Sequence, residues 1–366
     1  MSKSFECDVC IVTNLAFPGG NTSSTLDEVK FLNKNNIKVL LVHQPLAESV
    51  ISSRYDPWSD IIVKNAKTIK EIICKTLIVR HPRVICHPEF INLGKHIKSE
   101  RICLIINNSV IRPNGKAVYD MKQLLKVAMA MGNVQIYPIS SLIRAEFHDH
   151  RLLSSVDWFP TFDLDDYINS PKGELKSPFR IGRHSRDGIE KWLENPILLK
   201  QAYPNDPDFE ITILGGADNV TKILGKLPSN WKVIPFGKLS PKDYLRSLDV
   251  FVYFPNSHLV EAFGRTVVEA MIAGVPCILP TRFRITFGNL AFYCEPKDVK
   301  NIILRLSENN TKRMALLKFI QNIAISLYSS SSLTDRFPEL NIISVKRNMG
   351  NITNDLIKYR HFVENG

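Results

Sequence analysis

Short apolar runs that alternate with longer helical stretches, in both halves of the chain, are the feature that most constrains the fold. These runs are rich in Val, Ile and Leu, as expected of strands buried on both faces. They cover residues 7–14, 38–43, 76–80, 102–107 and 134–139 in the first half, and 179–182, 210–214, 232–236, 250–254 and 276–279 in the second. Such alternation is typical of parallel sheets covered by helices. We therefore predict an α/β fold with two doubly wound domains that face each other across a cleft.

A polar segment separates the two halves. Residues 166–178 contain Pro171, Gly173 and Pro178 and show no clear periodicity, which indicates a linker. A chain of 366 residues is long enough for two domains. The predicted domains are 1–165 and 179–330. A tail over 331–366 follows, and we leave open whether it packs back on the N-terminal domain.

The formal net charge of +11 admits three kinds of partner: nucleic acid, an anionic membrane surface or a phosphorylated substrate. The basic residues are scattered and form no block or aromatic-basic motif, so nucleic acid is the least favoured of the three. No apolar run approaches the roughly 18 residues that span a bilayer. The first six residues lack the apolar stretch of a secretory signal. We expect a cytoplasmic protein and leave peripheral contact with an anionic membrane open.

The seven cysteines indicate free thiols in a reducing compartment. Cys7 and Cys10 lie in the first predicted strand, where residues three apart point to opposite faces. A role in the core is favoured over zinc or redox chemistry.

The loop and helix after residues 250–254 carry the strongest chemical signal. Glu261 and Glu269 stand with seven residues between them, and a helix is predicted from near Gly264 to Gly274. A helix N-terminus suits a pyrophosphate, and glycine lets the backbone approach it closely. Glu269 lies about 7.5 Å further along the helix axis, where its carboxylate can accept hydrogen bonds from ribose hydroxyls. Glu261 would face the sugar.

This pattern resembles the retaining nucleotide-sugar glycosyltransferases of the GT-B fold, often called group 1 glycosyltransferases. Their hallmark is a Glu, seven residues and a second Glu in a Glu-x-Phe-Gly and Glu-Ala-x-x-x-Gly-x-Pro context. The matching residues are Glu261, Phe263, Gly264, Glu269, Ala270, Gly274 and Pro276. The resemblance is strong over about 179–300, where Phe236-Gly237 and residues 249–252 also fit, and only topological before residue 165.

The resemblance implies further residues that bind the donor. A basic pair near the start of the second domain would neutralise the diphosphate: Arg183 follows Gly182, and the second base is Lys191, with Arg186 as the alternative. Phe263, Gly264 and Arg265 would lie beside the donor, and backbone around Gly237 would contact its base.

The first domain should also contribute donor contacts. Gly19 and Gly20, in a Pro-Gly-Gly turn after the first strand, would lie against the phosphates. The family often has a functional histidine in this domain. The candidates that remain open are His81, His87, His148 and His150, with Asn107-Asn108 as a replacement.

The implied activity is transfer of a sugar, with retention of anomeric configuration, to a hydroxyl of a glycan, a lipid-linked acceptor or a surface polysaccharide precursor. No cofactor or metal is expected, since Arg183 and Lys191 would neutralise the diphosphate, and Asp163-Leu164-Asp165 sits at the edge of the linker. The alternatives are a nucleotide-sugar epimerase or phosphorylase of the same fold, and a non-catalytic protein that binds nucleotide sugars or nucleic acid.

Overall fold

A computed structural model describes residues 3–16, 19–46, 63–148, 150–162, 167–235, 237–340 and 351–366. Phe17, Pro18, Phe236 and the Asp163-Leu164-Asp165 segment lie outside these ranges. The chain forms two compact units. The first comprises Met1–Asp163, Val260–Phe263 and Ser330–Val345, and the second comprises Leu164–Leu259, Gly264–Ser329 and Lys346–Gly366.

The first unit is built on a parallel sheet of six strands. Its elements in chain order are β1 (Lys3–Thr13), α1 (Gly20–Lys34), β2 (Val39–His43), β3 (Val63–Asn65), β4 (Ile69–Arg80), α2 (Pro82–Ile85), α3 (Pro88–Gly94), β5 (Ile97–Ile106), α4 (Met121–Ala130), β6 (Val134–Pro138) and α5 (Ser141–Ala145). The strand order is β3-β2-β1-β4-β5-β6. This is the order of the doubly wound dinucleotide-binding fold, and the connections reverse direction between β1 and β4.

The centre of this sheet is apolar on both faces. In β1, Ile11 lies opposite Leu41 of β2 and Ile78 of β4, and all three side chains are buried. Cys7 and Cys10 are also buried in β1 and are free thiols, as expected of core residues.

The second unit repeats the same topology. Its elements are β7 (Phe179–His184), α6 (Pro196–Ala202), β8 (Phe209–Leu214), α7 (Asp218–Leu224), β9 (Trp231–Ile234), α8 (Pro241–Ser247), β10 (Val250–Val252), α9 (Arg265–Ile272), β11 (Cys277–Leu279), α10 (Arg284–Phe287), β12 (Phe292–Tyr293), α11 (Val299–Glu308), α12 (Asn310–Tyr328) and α13 (Asn354–Asn365). The parallel sheet has the order β12-β11-β10-β7-β8-β9, so its connections reverse between β7 and β10. The predicted class of two doubly wound α/β domains is confirmed.

Local sequence explains how α8 begins. Ser240 caps the helix through a 3.2 Å hydrogen bond that its Oγ accepts from the Asp243 N–H, and Pro241 occupies the first turn. Proline suits that position because its missing N–H would have no helical partner.

The C-terminal part of the chain contributes to both units. Arg336, in the first unit, donates from Nη1 to the Phe159 carbonyl at 2.6 Å. Helix α13 belongs to the second unit, where Arg360 donates to the carbonyls of Asn289 and Ala291. Across the ranges that the structure describes, no helix is both long enough and apolar enough to cross a membrane.

Candidate functional site

The candidate site lies in the second unit, at the carboxyl ends of the strands where the connections reverse. Strand β7 ends at His184, and β10 ends at Val252, from which the chain continues towards α9. In open α/β sheets this reversal point is where ligands bind.

Gly264 begins helix α9 in a left-handed conformation, with φ at 86°. A residue with a Cβ is strained at this φ, which explains the need for glycine. The Gly264 position provides no side-chain cap to the helix. The first turn of α9 therefore presents backbone N–H groups of the kind that bind phosphate.

Glu269 is buried one turn into α9, with 5% of its surface exposed. Its Oε1 accepts a 3.1 Å hydrogen bond from Arg265 Nε. Its Oε2 has no hydrogen-bond partner among the residues that the structure describes. Burial raises the pKa of Glu269, and the nearby Arg265 opposes that rise. The Glu269 carboxyl group is thus held in place through Oε1, and Oε2 is left over.

His184 faces the spare oxygen. Its Nδ1 lies 3.7 Å from Glu269 Oε2, longer than a hydrogen bond. Burial lowers the pKa of His184 to about 4, so the ring is neutral at neutral pH. Sequence reasoning missed His184, although its place directly after the predicted Arg183 was a usable signal.

Arg183 is fully buried and packs between aromatic rings. Its Cζ lies 3.9 Å from the ring centroid of Trp192 and 4.8 Å from that of Tyr253. Nη1 donates to Tyr203 Oη at 2.8 Å, whereas Nε and Nη2 have no partner within the described part of the chain. The structure places this arginine inside the unit, one residue before the end of β7, and its contact with a diphosphate stays a prediction.

The two candidates for the second base occupy the loop after β7. Arg186 is 57% exposed and forms an ion pair with Glu190, four residues later. Lys191 is half-buried at the end of a short 3₁₀ turn. Asp187 fixes this loop, since it accepts hydrogen bonds from Trp192 Nε1 at 3.2 Å and from the Asn219 N–H at 3.1 Å.

A glycine pair after β8, which sequence reasoning also missed, allows this loop to pack closely. A Cβ on Gly215 would lie 2.1 Å from the Ser185 carbonyl oxygen, and φ is 115°. Gly216 has φ at 108° and approaches Asp187. A Gly-Gly pair directly after an apolar strand is the signal that could have found this feature. Gly237, the predicted base contact, has φ at 78° and no atom within 4 Å of an added Cβ.

The predicted phosphate loop of the first unit is organised by side-chain amides. Gly19 is the N-cap residue of α1, and Gly20 is the first residue of the helix. Asn21 donates to Thr13 Oγ1 at 3.0 Å and accepts a 2.8 Å hydrogen bond from Asn107 Nδ2. Contact of the two glycines with a donor stays a prediction.

Glu261 and Phe263 belong to the first unit, whereas Glu269 belongs to the second. The Ala262 carbonyl accepts a 2.6 Å hydrogen bond from Ser140 Oγ, and the Phe263 ring lies 6.2 Å from the Phe159 ring. The predicted pairing of Glu261 with Glu269 around one donor remains a prediction.

Residues 183–285 match the family model described as glycosyl transferases group 1. The resemblance to group 1 glycosyltransferases is confirmed. The matched segment contains Arg183, Lys191, Gly264 and Glu269. No curated protein matches the chain significantly.

Solved glycosyltransferase structures share the fold. Anabaena HepE, determined in complex with UDP and glucose, is 16% identical with a TM-score of 0.62, over 91% of this chain and 98% of HepE. A glycosyltransferase from Rickettsia africae ESF-5 is 11% identical with a TM-score of 0.67, over 92% of this chain and 97% of that one. An alpha-glucosyltransferase in complex with UDP and a 13-mer DNA is 13% identical with a TM-score of 0.61, over 92% of this chain and 100% of that one. These likenesses confirm the GT-B fold.

Proposed function

We propose that the chain is a retaining glycosyltransferase that uses a nucleotide-diphosphate sugar. The observation that carries this proposal is the spare Oε2 of Glu269, buried on a helix that begins at a left-handed glycine. A buried carboxylate oxygen without a partner is costly in a folded protein, and a ligand hydroxyl that donates to it removes that cost.

The donor would bind along α9. Its diphosphate rests on the helix N-terminus after Gly264, where backbone N–H groups and the helix dipole favour negative charge. Glu269, five residues further, accepts a hydrogen bond from a ribose hydroxyl. The roles of Glu261 at the sugar and of Gly19 and Gly20 at the phosphates stay predictions from the sequence.

The reaction would proceed on one face of the sugar. The bond between the anomeric carbon and the leaving phosphate oxygen breaks, and the acceptor oxygen bonds to the same face while its proton passes to the leaving diphosphate. Arg183, with Lys191 or Arg186, stabilises the charge that develops on the diphosphate. In this mechanism the cationic side chains take the place of a metal ion.

UDP-glucose is the first donor to test, because HepE and the alpha-glucosyltransferase were both determined with UDP. The proposed acceptor is a glycan or a lipid-linked polysaccharide precursor at the cytoplasmic face of a membrane. The net charge of +11 supports this location, since basic proteins are attracted to anionic lipid headgroups.

A thermal-shift panel of nucleotide sugars, with Glu269→Gln as the matched control, tests donor binding. A ligand at 100 times its Kd adds about 2.7 kcal/mol of stability. We expect one sugar nucleotide to stabilise the wild type and the variant to respond less. A panel without any response would overturn the proposal.

Retention and the alternatives are tested with the donor found in that panel. Proton NMR of the product formed on a set of glycoside acceptors should show the anomeric configuration of the donor, and an inverted product would refute retention. Conversion of the donor to an epimer without any acceptor would favour an epimerase. Salt-sensitive binding to random oligonucleotides, without sugar transfer, would favour a nucleic-acid binding protein.

A further inference from the structure

Two side-chain atoms face each other at the carboxyl end of β7. His184 Nδ1 and Glu269 Oε2 lie 3.7 Å apart, which is too long for a hydrogen bond. Neither atom has a hydrogen-bond partner among the residues that the structure describes. Both side chains are largely buried, with 16% of His184 and 7% of Glu269 exposed. One ligand group placed beside the line that joins the two atoms can therefore reach both of them.

The positions of both atoms are fixed by their surroundings. His184 is the last residue of β7, where its backbone belongs to the sheet. Its ring meets Tyr244 edge to face, with the ring centroids 6.3 Å apart. Tyr244 is fully buried, and its Oη accepts a 2.7 Å hydrogen bond from the Arg183 N–H. On the other side, Arg265 holds Glu269 through Oε1. The distance between Nδ1 and Oε2 is thus set by groups that are themselves held in place.

A single hydroxyl group satisfies both atoms. Burial lowers the pKa of His184 to about 4, so the ring is neutral at neutral pH and carries one N–H. A hydrogen on Nδ1 is attracted by the Glu269 oxygen, whereas a lone pair there would be repelled by it. A hydroxyl oxygen about 2.8 Å from each atom can accept from Nδ1–H and donate to Oε2. A carbonyl has no hydrogen to donate and an ammonium has no lone pair, so each of these would satisfy only one of the two atoms.

We propose that His184 is a specificity-determining residue of the donor site and binds the same ribose hydroxyl as Glu269. This inference rests on the proposed function, in which Glu269 accepts a hydrogen bond from a ribose hydroxyl. His184 Nδ1 donates to the oxygen of that hydroxyl, and the hydroxyl donates to Glu269 Oε2. Because the hydroxyl has both a donor and an acceptor, the site selects ribonucleotides over nucleotides that lack this group.

Three variants separate the hydrogen bond from the shape of the ring. His184→Phe keeps a ring against Tyr244 and removes both nitrogens, and His184→Asn places an amide near the position of Nδ1. His361→Phe is the control, since His361 is an exposed histidine on α13 of the same unit. A circular dichroism melt of each variant shows that it is folded.

Calorimetric titration of nucleoside diphosphates measures the selectivity. UDP, GDP, ADP and CDP are titrated into the wild type, and the tightest of them is compared with its 2′-deoxy and 3′-deoxy analogues. We expect one analogue to bind the wild type about ten-fold more weakly, as for the loss of a hydrogen bond to a charged group.

The variants should change this selectivity in a defined way. We expect His184→Phe to bind the ribonucleotide about five-fold more weakly, the worth of one hydrogen bond between neutral groups. It should bind the weaker analogue like the wild type, so that the selectivity falls by the same factor. His184→Asn should recover part of the lost affinity, and His361→Phe should bind like the wild type.

The contrary results distinguish this inference from the proposed function. A water molecule between the two side chains would leave the ribonucleotide and both analogues equal in affinity, and that result, or full selectivity in His184→Phe, would overturn the role of His184. A His184→Asn variant no better than His184→Phe would overturn the hydrogen bond. If Glu269→Gln weakens ribonucleotide binding while His184→Phe does not, the proposed donor site stands and this inference fails. If none of the four diphosphates binds, both fail.

Discussion

Each unit buries one glutamate on a helix that follows a strand beside its reversal point. The two glutamates differ in how many of their carboxyl oxygens have a hydrogen-bond partner. Glu28, on α1 of the first unit, is fully buried. Its Oε2 forms an ion pair with Arg80, and its Oε1 accepts a 3.0 Å hydrogen bond from Trp158 Nε1. Glu269, on α9 of the second unit, has a partner for Oε1 but not for Oε2 among the described residues.

This difference separates a structural carboxylate from one that is ready for a ligand. Both oxygens of Glu28 are used within the unit, so this residue holds helix and sheet together. Glu269, on the helix after β10, uses Oε1 within the unit and leaves Oε2 without a partner among the described residues. The unpaired oxygen of Glu269 lies beside the reversal point, where open α/β sheets bind ligands, and this supports its place in the proposed donor site.

The largest expected effect concerns stability. Glu28→Gln should lower the free energy of unfolding by about 3–5 kcal/mol, because it leaves Arg80 buried without its counter-charge. The matched Glu269→Gln variant should lower it by less, since the Arg265 side chain that loses its counter-charge is 16% exposed, against 4% for Arg80. Urea unfolding followed by tryptophan fluorescence measures both. Equal losses in the two variants would remove the distinction between the two carboxylates.

The next prediction concerns how folding stability depends on pH through His184, the neighbour of Glu269. Its pKa is about 4 in the folded protein against an ordinary value of 6.5. As pH falls from 6.5 to 4 the unfolded chain takes up a proton that folded His184 does not, so folding stability falls. The loss is at most about 1.4 kcal/mol per pH unit. His184→Gln should show a shallower decline over this window in urea titrations at several pH values. The control His258→Gln removes an exposed histidine of the same unit, and an identical slope for all three proteins would contradict the prediction.

The last prediction is that removal of divalent metal ions does not change the rate of sugar transfer. If cationic side chains rather than a metal ion neutralise the donor, a chelator should leave the rate of sugar transfer unchanged. The rate is measured with the donor identified by thermal shift, with and without EDTA. A rate that EDTA abolishes and manganese restores would contradict the metal-free mechanism.

Much of the fold could be predicted from the sequence, because strands buried on both faces are continuous apolar runs. All ten predicted runs overlap observed strands, and 134–139 differs from β6 by a single residue. Strand β4 is seven residues longer at its start than the predicted run 76–80, since its first half alternates polar and apolar residues. Strands β3 and β12 were missed because three- and two-residue edge strands carry no periodicity.

The candidate site could be predicted only where a single residue determines the local backbone conformation. Gly264 and the start of α9 followed from the Phe-Gly turn before a helical pattern, and the helix begins there. The burial of Arg183 among Trp192, Tyr203 and Tyr253 could not be read from the sequence, because these rings come from separate loops and helices. The same holds for His184, which lies near Glu269 although the two residues are far apart in sequence.

Titration calorimetry of the donor with the wild type and with Glu269→Gln tests the central claim most directly. UDP-glucose is the first ligand, and Glu28→Gln, where it remains folded, serves as the control from the other unit. If the spare oxygen of Glu269 accepts a ribose hydroxyl, its loss should weaken binding by about 1.5–3 kcal/mol, the worth of a hydrogen bond to a charged group. Glu28→Gln should leave the donor Kd unchanged. A Kd that is the same for the wild type and Glu269→Gln would contradict the account.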